Sequence, residues 1–181
     1  MVLETERLLL RPWREEDAQD LYRYASDPQV GPAAGWPPHT SVENSREIIR
    51  EVLSAPGTFA VVLRETGEVI GSVGIMRAGS DTASMKEDEA EIGYWIGRPF
   101  WGQGLIPEAV RAVQLCCFEQ LGCRRLWCGY YEGNEKSRRV QEKCGFVPHH
   151  TQENVPCKHL GERRTEHFTT LTREAWEAAR A

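Results

Sequence analysis

Long apolar runs are missing from this 181-residue chain. Nothing approaches the ~20 consecutive apolar residues that a membrane-crossing helix needs, so no membrane partner is expected. The leading residues include Glu4 and Glu6, where a secretory leader would carry positive charge and then an apolar stretch; a cytoplasmic protein is expected. Positive charge is scarce throughout, with 22 Lys and Arg against 27 Asp and Glu and a net charge of −5. Phosphate backbones are neutralised by concentrated Lys and Arg, so the balance argues against a general nucleic-acid surface and makes a basic partner easier to accommodate. Paired cysteine spacing is absent too. Of the six cysteines, Cys116 and Cys117 are adjacent, and the others have neither secretory context nor metal-ligand spacing. This points to reduced, buried thiols rather than disulfides. Cys157-Lys158-His159 is the one close Cys/His pair in the sequence and is two ligands short of a zinc site, so no metal is expected. Internal repeats and low-complexity segments are also lacking. With 40% hydrophobic and 27% charged residues the composition is not that of a disordered chain. The length suits one domain, residues 1–181, burying roughly 70% of its extended surface.

What the chain does have is the run Trp101-Gly102-Gln103-Gly104-Leu105-Ile106-Pro107-Glu108-Ala109, between a strand pattern at Ala90 to Gly97 and a helix pattern. Leu105, Val110, Val113, Leu115 and Phe118 approximate one apolar face of that helix. A glycine-rich turn therefore opens a helix. Glycine permits positive φ and close backbone approach, and the first-turn N–H groups lack intrahelical partners, so an anion is favoured there. Pro107 suits the first turn, where its missing donor is not needed. Taken alone, a Gly-x-Gly before a helix also describes a tight turn with no ligand.

A second helix is predicted from Asn134, with Gly145 as its stop in Gly145-Phe146. Its Lys136, Arg138, Arg139 and Lys143 form a basic cluster that suits either a solvated face or a phosphate neighbour. Elsewhere the pattern predicts strands near Arg7 to Trp13, Thr58 to Leu63, Val69 to Met76 and Arg125 to Tyr130. Helices are predicted near Glu15 to Ala25, Ser41 to Leu53 and Leu105 to Leu121. The run Glu65-Thr66-Gly67-Glu68 has the look of a hairpin turn. Gly31 to Pro38 is read as a loop too rich in breakers to be helical, and it carries Trp36. Ala78 to Asp88 reads as a polar connection. Strands alternating with helices around one mixed sheet make this an α/β or α+β domain.

The order strand, glycine loop, helix, strand, helix, Gly-Phe resembles the GNAT N-acetyltransferase superfamily, and within it the branch of the ribosomal-protein N-terminal acetyltransferases RimJ and RimL. The opening, Glu4-Thr5-Glu6-Arg7-Leu8-Leu9-Leu10-Arg11-Pro12-Trp13 followed by Glu16-Asp17-Ala18, is similar to that branch's first strand and helix. The close, Phe168 to Trp176, is similar to its last strand, so the resemblance spans nearly the whole chain. It implies a twisted, mixed but mostly antiparallel sheet of about seven strands with helices on both faces. It also implies acetyl-CoA as the co-substrate, an amine-bearing acceptor, and allows a homodimer.

On that resemblance the pyrophosphate of acetyl-CoA would lie over Trp101, Gly102, Gln103, Gly104, Leu105 and Ile106. The superfamily pattern Gln/Arg-x-x-Gly-x-Gly/Ala is matched strictly only at Gly104, with Trp101 in the first position and Ile106 in place of the last small residue. The pantetheine arm would run between the strand containing Tyr94, Trp95 and Ile96 and the strand around Trp127, which in the family splay apart. A backbone N–H there would polarise the thioester carbonyl. Trp36 borders the acceptor site in the family. The superfamily's usual acid, a tyrosine, has Gln141 at its position here, whereas the RimL-like branch carries a serine where Ser137 stands, three residues after Asn134. Ser137 is thus the expected hydrogen-bond donor to sulfur, or else a first-turn serine bonding nearby backbone. Asn134 is either a contact to the cofactor arm or only a helix N-cap.

Direct attack needs a neutral amine. Reference pKa values of ~7.8 for an α-amine and ~10.4 for lysine differ by about 2.6 units, or roughly 3.5 kcal/mol, so a weak base suffices for an N-terminus. Glu91 is the preferred base and acceptor contact, its alternative being a carboxylate paired with an arginine; Glu166 and His149 follow. The expected activity is acetyl transfer to a primary amine, either a protein N-terminus or a small molecule, by direct attack in a ternary complex. The alternative is an inactive acyl-CoA-binding sensor of the same fold, which the missing tyrosine favours.

Overall fold

The alternating apolar residues of the strands build a sheet that is covered on both sides. In the computed structural model, which describes residues 1–78 and 85–181, the strands are β1 (Leu3–Glu4), β2 (Leu8–Pro12), β3 (Thr58–Leu63), β4 (Val69–Arg77), β5 (Glu89–Ile96), β6 (Arg125–Tyr131), β7 (Val147–Cys157) and β8 (Glu162–Thr172). They form an eight-stranded sheet in the order β1-β2-β3-β4-β5-β6-β8-β7, against the about seven expected. Every neighbouring pair is antiparallel except β5 and β6, which run parallel. Parallel neighbours need a long crossover, and α4 (Leu105–Leu115) supplies it.

Two cores sit on the two faces. On one, Leu8, Leu10, Val61, Val73, Ala90, Ile92, Leu126 and Cys128 pack with Leu105, Ala109, Val110 and Val113 of α4. On the other, Ala60, Val62 and Val69 pack with Ala18, Leu21 and Ala25 of α1 (Ala18–Ala25) and with Ile49, which follows α3 (Val42–Ile48). Strand alternation makes this two-sided burial possible, because residues 90 and 92 face α4 while 91, 93 and 95 face away.

Four expectations are corrected. Gly31 to Pro38 holds a short helix, α2 (Gly31–Ala34): Pro32 stands in its first turn, where its ring is tolerated, and Gly35 at φ 97° ends it. The stretch from His149 to Leu160, to which the sequence pattern assigns no strand, is largely β7, an exposed edge strand whose polar residues leave no apolar alternation to detect. The last strand stops at Thr172, whose side chain accepts from the Ala175 N–H and caps α6 (Arg173–Arg180). The helix at Leu105 keeps α-helical turns only to Leu115 and then widens through Cys116–Gln120. Of the Ala78 to Asp88 connection, residues 79–84 lie outside the described residues.

Candidate active site

The glycine loop is held open from beneath. Gly102 and Gly104 have φ of 75° and 74°, left-handed values that side-chain-bearing residues seldom adopt. Gly104 is the N-cap of α4. The backbone N–H groups from Gly102 to Ile106 donate to no other protein atom among the described residues, so they form a row of donors at a helix start. Ile106 does not crowd that row. The residue is 4% exposed and its side chain packs in the α4-side core, so it does not cover the loop.

Arg7 fixes the direction of those donors. Its Nη1 donates to the Gln103 carbonyl at 2.9 Å, and its Nε and backbone N donate to the two Glu108 oxygens at 2.8 and 3.0 Å. In a trans peptide the carbonyl and the following N–H point in opposite directions, so holding the Gln103 oxygen toward Arg7 turns the Gly104 N–H away from it. Burial works against the Glu108 charge, but hydrogen bonds from Thr5 and Arg7 outweigh it and leave its pKa below the usual carboxylate value. At the loop's other end the Trp101 indole N–H donates to the Ile96 carbonyl at 3.0 Å, and Lys136 Nζ sits 3.3 Å from the centre of the Trp101 ring. Within the basic cluster, Arg138 instead pairs with Glu135 and Glu142.

A gap opens beside this loop. β5 and β6 pair only at Glu89 with Arg125, Ala90 with Leu126 and Glu91 with Trp127. Beyond Trp127, β6 pairs only with β8, so Tyr94, Trp95 and Ile96 face a widening cleft. Trp127 is thus the last paired residue, and the diverging side is Cys128 to Tyr131. The Trp127 indole N–H donates at 2.9 Å to Glu89, a carboxylate 8% exposed, at the closed end of the cleft.

On the α4 face of the cleft stands α5 (Glu135–Lys143), capped by Asn134, whose side chain accepts from the Ser137 N–H at 3.2 Å and donates to the Ala33 carbonyl at 3.3 Å. Asn134 therefore does act as the N-cap. The Ser137 hydroxyl lies 2.8 Å from the Tyr94 hydroxyl and 3.2 Å from Gln141 Nε2. Gln141 is buried and also donates to the Gly129 carbonyl at 3.0 Å. Burial first, then the neighbouring Cys128, pushes the Tyr94 hydroxyl well above its ordinary pKa.

The opposite face holds carboxylates and aromatic rings. Directly opposed residues on adjacent strands share a face, which puts Glu91 with Trp127, Phe168 with Gly129, and Glu166 with Tyr131 on this side. A Cβ on Gly129 would lie 2.7 Å from Glu166 Oε1, so the carboxylate lies directly over the glycine where the strands diverge. Burial raises the Glu166 pKa, because desolvation disfavours the charged form. Tyr131 is pushed up to about 12, by burial and then by Glu166. Trp36 stands edge-on to Trp95 at 5.5 Å. His149 lies farther out along β7, edge-on to Trp127 at 4.7 Å.

Sequence reasoning missed two participants, Arg7 and Gly129, and part of the role of a third. Arg7 carries no local signal, since its partner is 101 residues away. Gly129 did offer one, because a glycine inside a strand often marks close approach by another group. Tyr94 was expected only to line the cofactor arm, yet its hydroxyl reaches α5.

An open, mostly antiparallel sheet with one short parallel pair, splayed beside a row of free N–H groups at a helix start, is the architecture of an acyltransferase that draws its acyl group from a coenzyme A thioester. Residues 7–147 match the acetyltransferase (GNAT) domain family, and the chain belongs to that family and is an N-acetyltransferase. It is 37% identical over 149 residues to the uncharacterized N-acetyltransferase p20 of Bacillus licheniformis, covering 80% of this chain and 81% of that one. A GNAT acetyltransferase structure from Bacillus anthracis shares the fold with a TM-score of 0.83 at 22% identity, over 96% of this chain and 99% of that one. The ribosomal-protein-S5-alanine acetyltransferase of Vibrio fischeri likewise shares the fold, with a TM-score of 0.74 at 20% identity, over 97% of this chain and 98% of that one.

Proposed function

We propose that this protein binds acetyl-CoA along the Gly102 to Ile106 loop and the β5–β6 cleft and transfers the acetyl group directly to the α-amine of a protein N-terminus. One observation carries the reading. The cleft separates Ser137, Tyr94 and Gln141 on the α4 face from Glu166 and Glu91 on the other, so donor and acceptor approach from opposite sides of the sheet. Acetyl-CoA supplies an activated carbonyl and a thiolate leaving group; the chain's own residues do the rest. Loop N–H groups take the pyrophosphate and aim the thioester into the cleft. Glu166 accepts a proton as the amine nitrogen bonds to the carbonyl carbon, and Ser137 donates a hydrogen bond to the sulfur as the C–S bond breaks. The thiolate then gains one proton, so the one the amine loses and the one the thiol carries balance.

Glu166 is favoured over Glu91 as base because it combines a raised pKa with a position over Gly129, and a base with pKa nearer neutrality is the better catalyst. A carboxylate is a weak base beside either amine, and an α-amine, the easier of the two to deprotonate, suits it better than a lysine. The RimJ/RimL-like resemblance and the name of the Vibrio fischeri neighbour support a protein N-terminus as acceptor. The test is calorimetric titration with acetyl-CoA, followed by thiol release with N-terminal peptides, polyamines and amino sugars. Saturable binding with turnover on peptides alone supports the reading. Turnover on small amines alone moves the acceptor, and binding without thiol release makes the protein a sensor.

The Arg7 clamp gives a separate expectation. Arg7→Met should weaken acetyl-CoA binding by about tenfold while stability changes little, because ion pairs this exposed contribute little to folding. Calorimetry and a melting curve on one preparation check both halves.

A further inference from the structure

The acid that position 141 does not carry leaves a question about what directs the Ser137 proton, and Tyr94 answers it. The Gln141 side chain has one allowed orientation. The Gly129 carbonyl can only accept, so Nε2 must face it, at 3.0 Å, and Oε1 then accepts from the Thr169 hydroxyl at 2.7 Å. One N–H of Gln141 is taken by Gly129. The other is left for Ser137 Oγ at 3.2 Å and the Tyr94 hydroxyl oxygen at 3.4 Å. The single Tyr94 proton has two oxygen acceptors on Ser137, Oγ at 2.8 Å and the carbonyl oxygen at 3.1 Å, and the sulfur of Cys128 as a third, weaker acceptor. With the Tyr94 proton on the nearest of these, Oγ, two donors converge on Ser137 Oγ, and a hydroxyl oxygen that accepts from its neighbours has its own proton left to point elsewhere. Tyr94 lies beyond the last β5–β6 pair, so elsewhere is the cleft.

We propose that Tyr94 is a positioning residue: by donating to Ser137 Oγ, together with Gln141, it directs the Ser137 proton at the departing sulfur. Tyr94 keeps its own proton throughout, which its burial favours. A strand-borne tyrosine thus acts through the serine in place of a helix-borne one. This rests on the acetyl-transfer reading above.

The test is a double-mutant cycle of Tyr94→Phe and Ser137→Ala, read by thiol release, which also reports slow thioester hydrolysis before any acceptor is found. Tyr94→Phe is expected to lower turnover about tenfold in the native background, the effect of one hydrogen bond, with acetyl-CoA affinity within about twofold. In the Ser137→Ala background it should have almost no effect, because the group it orients is gone. Gln141→Met removes the other donor to Oγ and is expected to show the same dependence on Ser137, so a folding defect in one variant leaves the other decisive. An unchanged rate, or equal losses in both backgrounds, overturns the Tyr94 role and leaves acetyl transfer standing. No thiol release by the native protein overturns both.

Discussion

Replacing Glu166 with glutamine is expected to lower the rate of acetyl transfer by about 10²- to 10³-fold, the range of a lost general base, with acetyl-CoA affinity unchanged. The pH dependence gives a sharper test. Burial raises the Glu166 pKa, so the native rate should climb with pH through a midpoint above the ordinary carboxylate value, and Glu166→Gln should lack that limb. Stability runs the opposite way. A carboxyl group whose folded pKa is raised holds its proton more tightly in the folded chain than in the unfolded one, so its contribution to stability is lost as pH rises through that window. Above that window the charge on Glu166 therefore weighs against the fold, and the glutamine variant should melt higher than the native protein there, with the advantage shrinking as pH falls through the window. Initial rates and melting curves across pH 4 to 8 measure both. An unaltered rate would move the base to Glu91 on the same face.

The second large effect is expected at Gly104. A left-handed φ of 74° costs a side-chain-bearing residue about 1–2 kcal/mol, and a β-branched one more. There is room for the side chain itself, since the nearest atom to a Cβ there would be Arg7 Nη2 at 3.6 Å. Strain therefore acts on the backbone, and a loop that relaxes it turns its N–H groups out of register. Gly104→Val should raise the acetyl-CoA dissociation constant by at least about tenfold, the effect of roughly 1.4 kcal/mol. Gly122 is the matched control, with a φ of 70° and open space around it. Gly122→Val carries comparable strain in a turn away from the cleft, so it should lower the melting temperature similarly and leave the affinity alone. Equal affinity in the two variants would remove the loop from the cofactor site.

How much of this was legible in the residues depended on how local each feature is. The glycine loop, its helix and the strand before it are written in consecutive residues, as are Asn134 and Ser137. Their placement follows from 3.6- and 2-residue periods. Trp36 and Glu91 could be named but not placed, because their surroundings come from α2 and from the register of β6. β7 was invisible for a physical reason: an edge strand exposed on both faces has no need of apolar alternation, and its Pro148 and Pro156 read as breakers. The short helix at Gly31 was hidden in the same way, by a proline that only a first turn tolerates. The meeting of Tyr94 with Ser137 depends on strand divergence, which no single segment encodes.

The fastening of Thr5 and Arg7 to Glu108 has a consequence for how the protein comes together. The residues that tune the loop lie at opposite ends of more than half the chain, 101 positions apart. Contacts of such separation form late, because the intervening chain must first be brought to order. A growing polypeptide can shape the turn at Gly102 to Gly104 early from its own glycines. It acquires the final aim of those amides only when the leading strand docks beside the crossover helix, so competence to bind is among the last properties the folding chain gains.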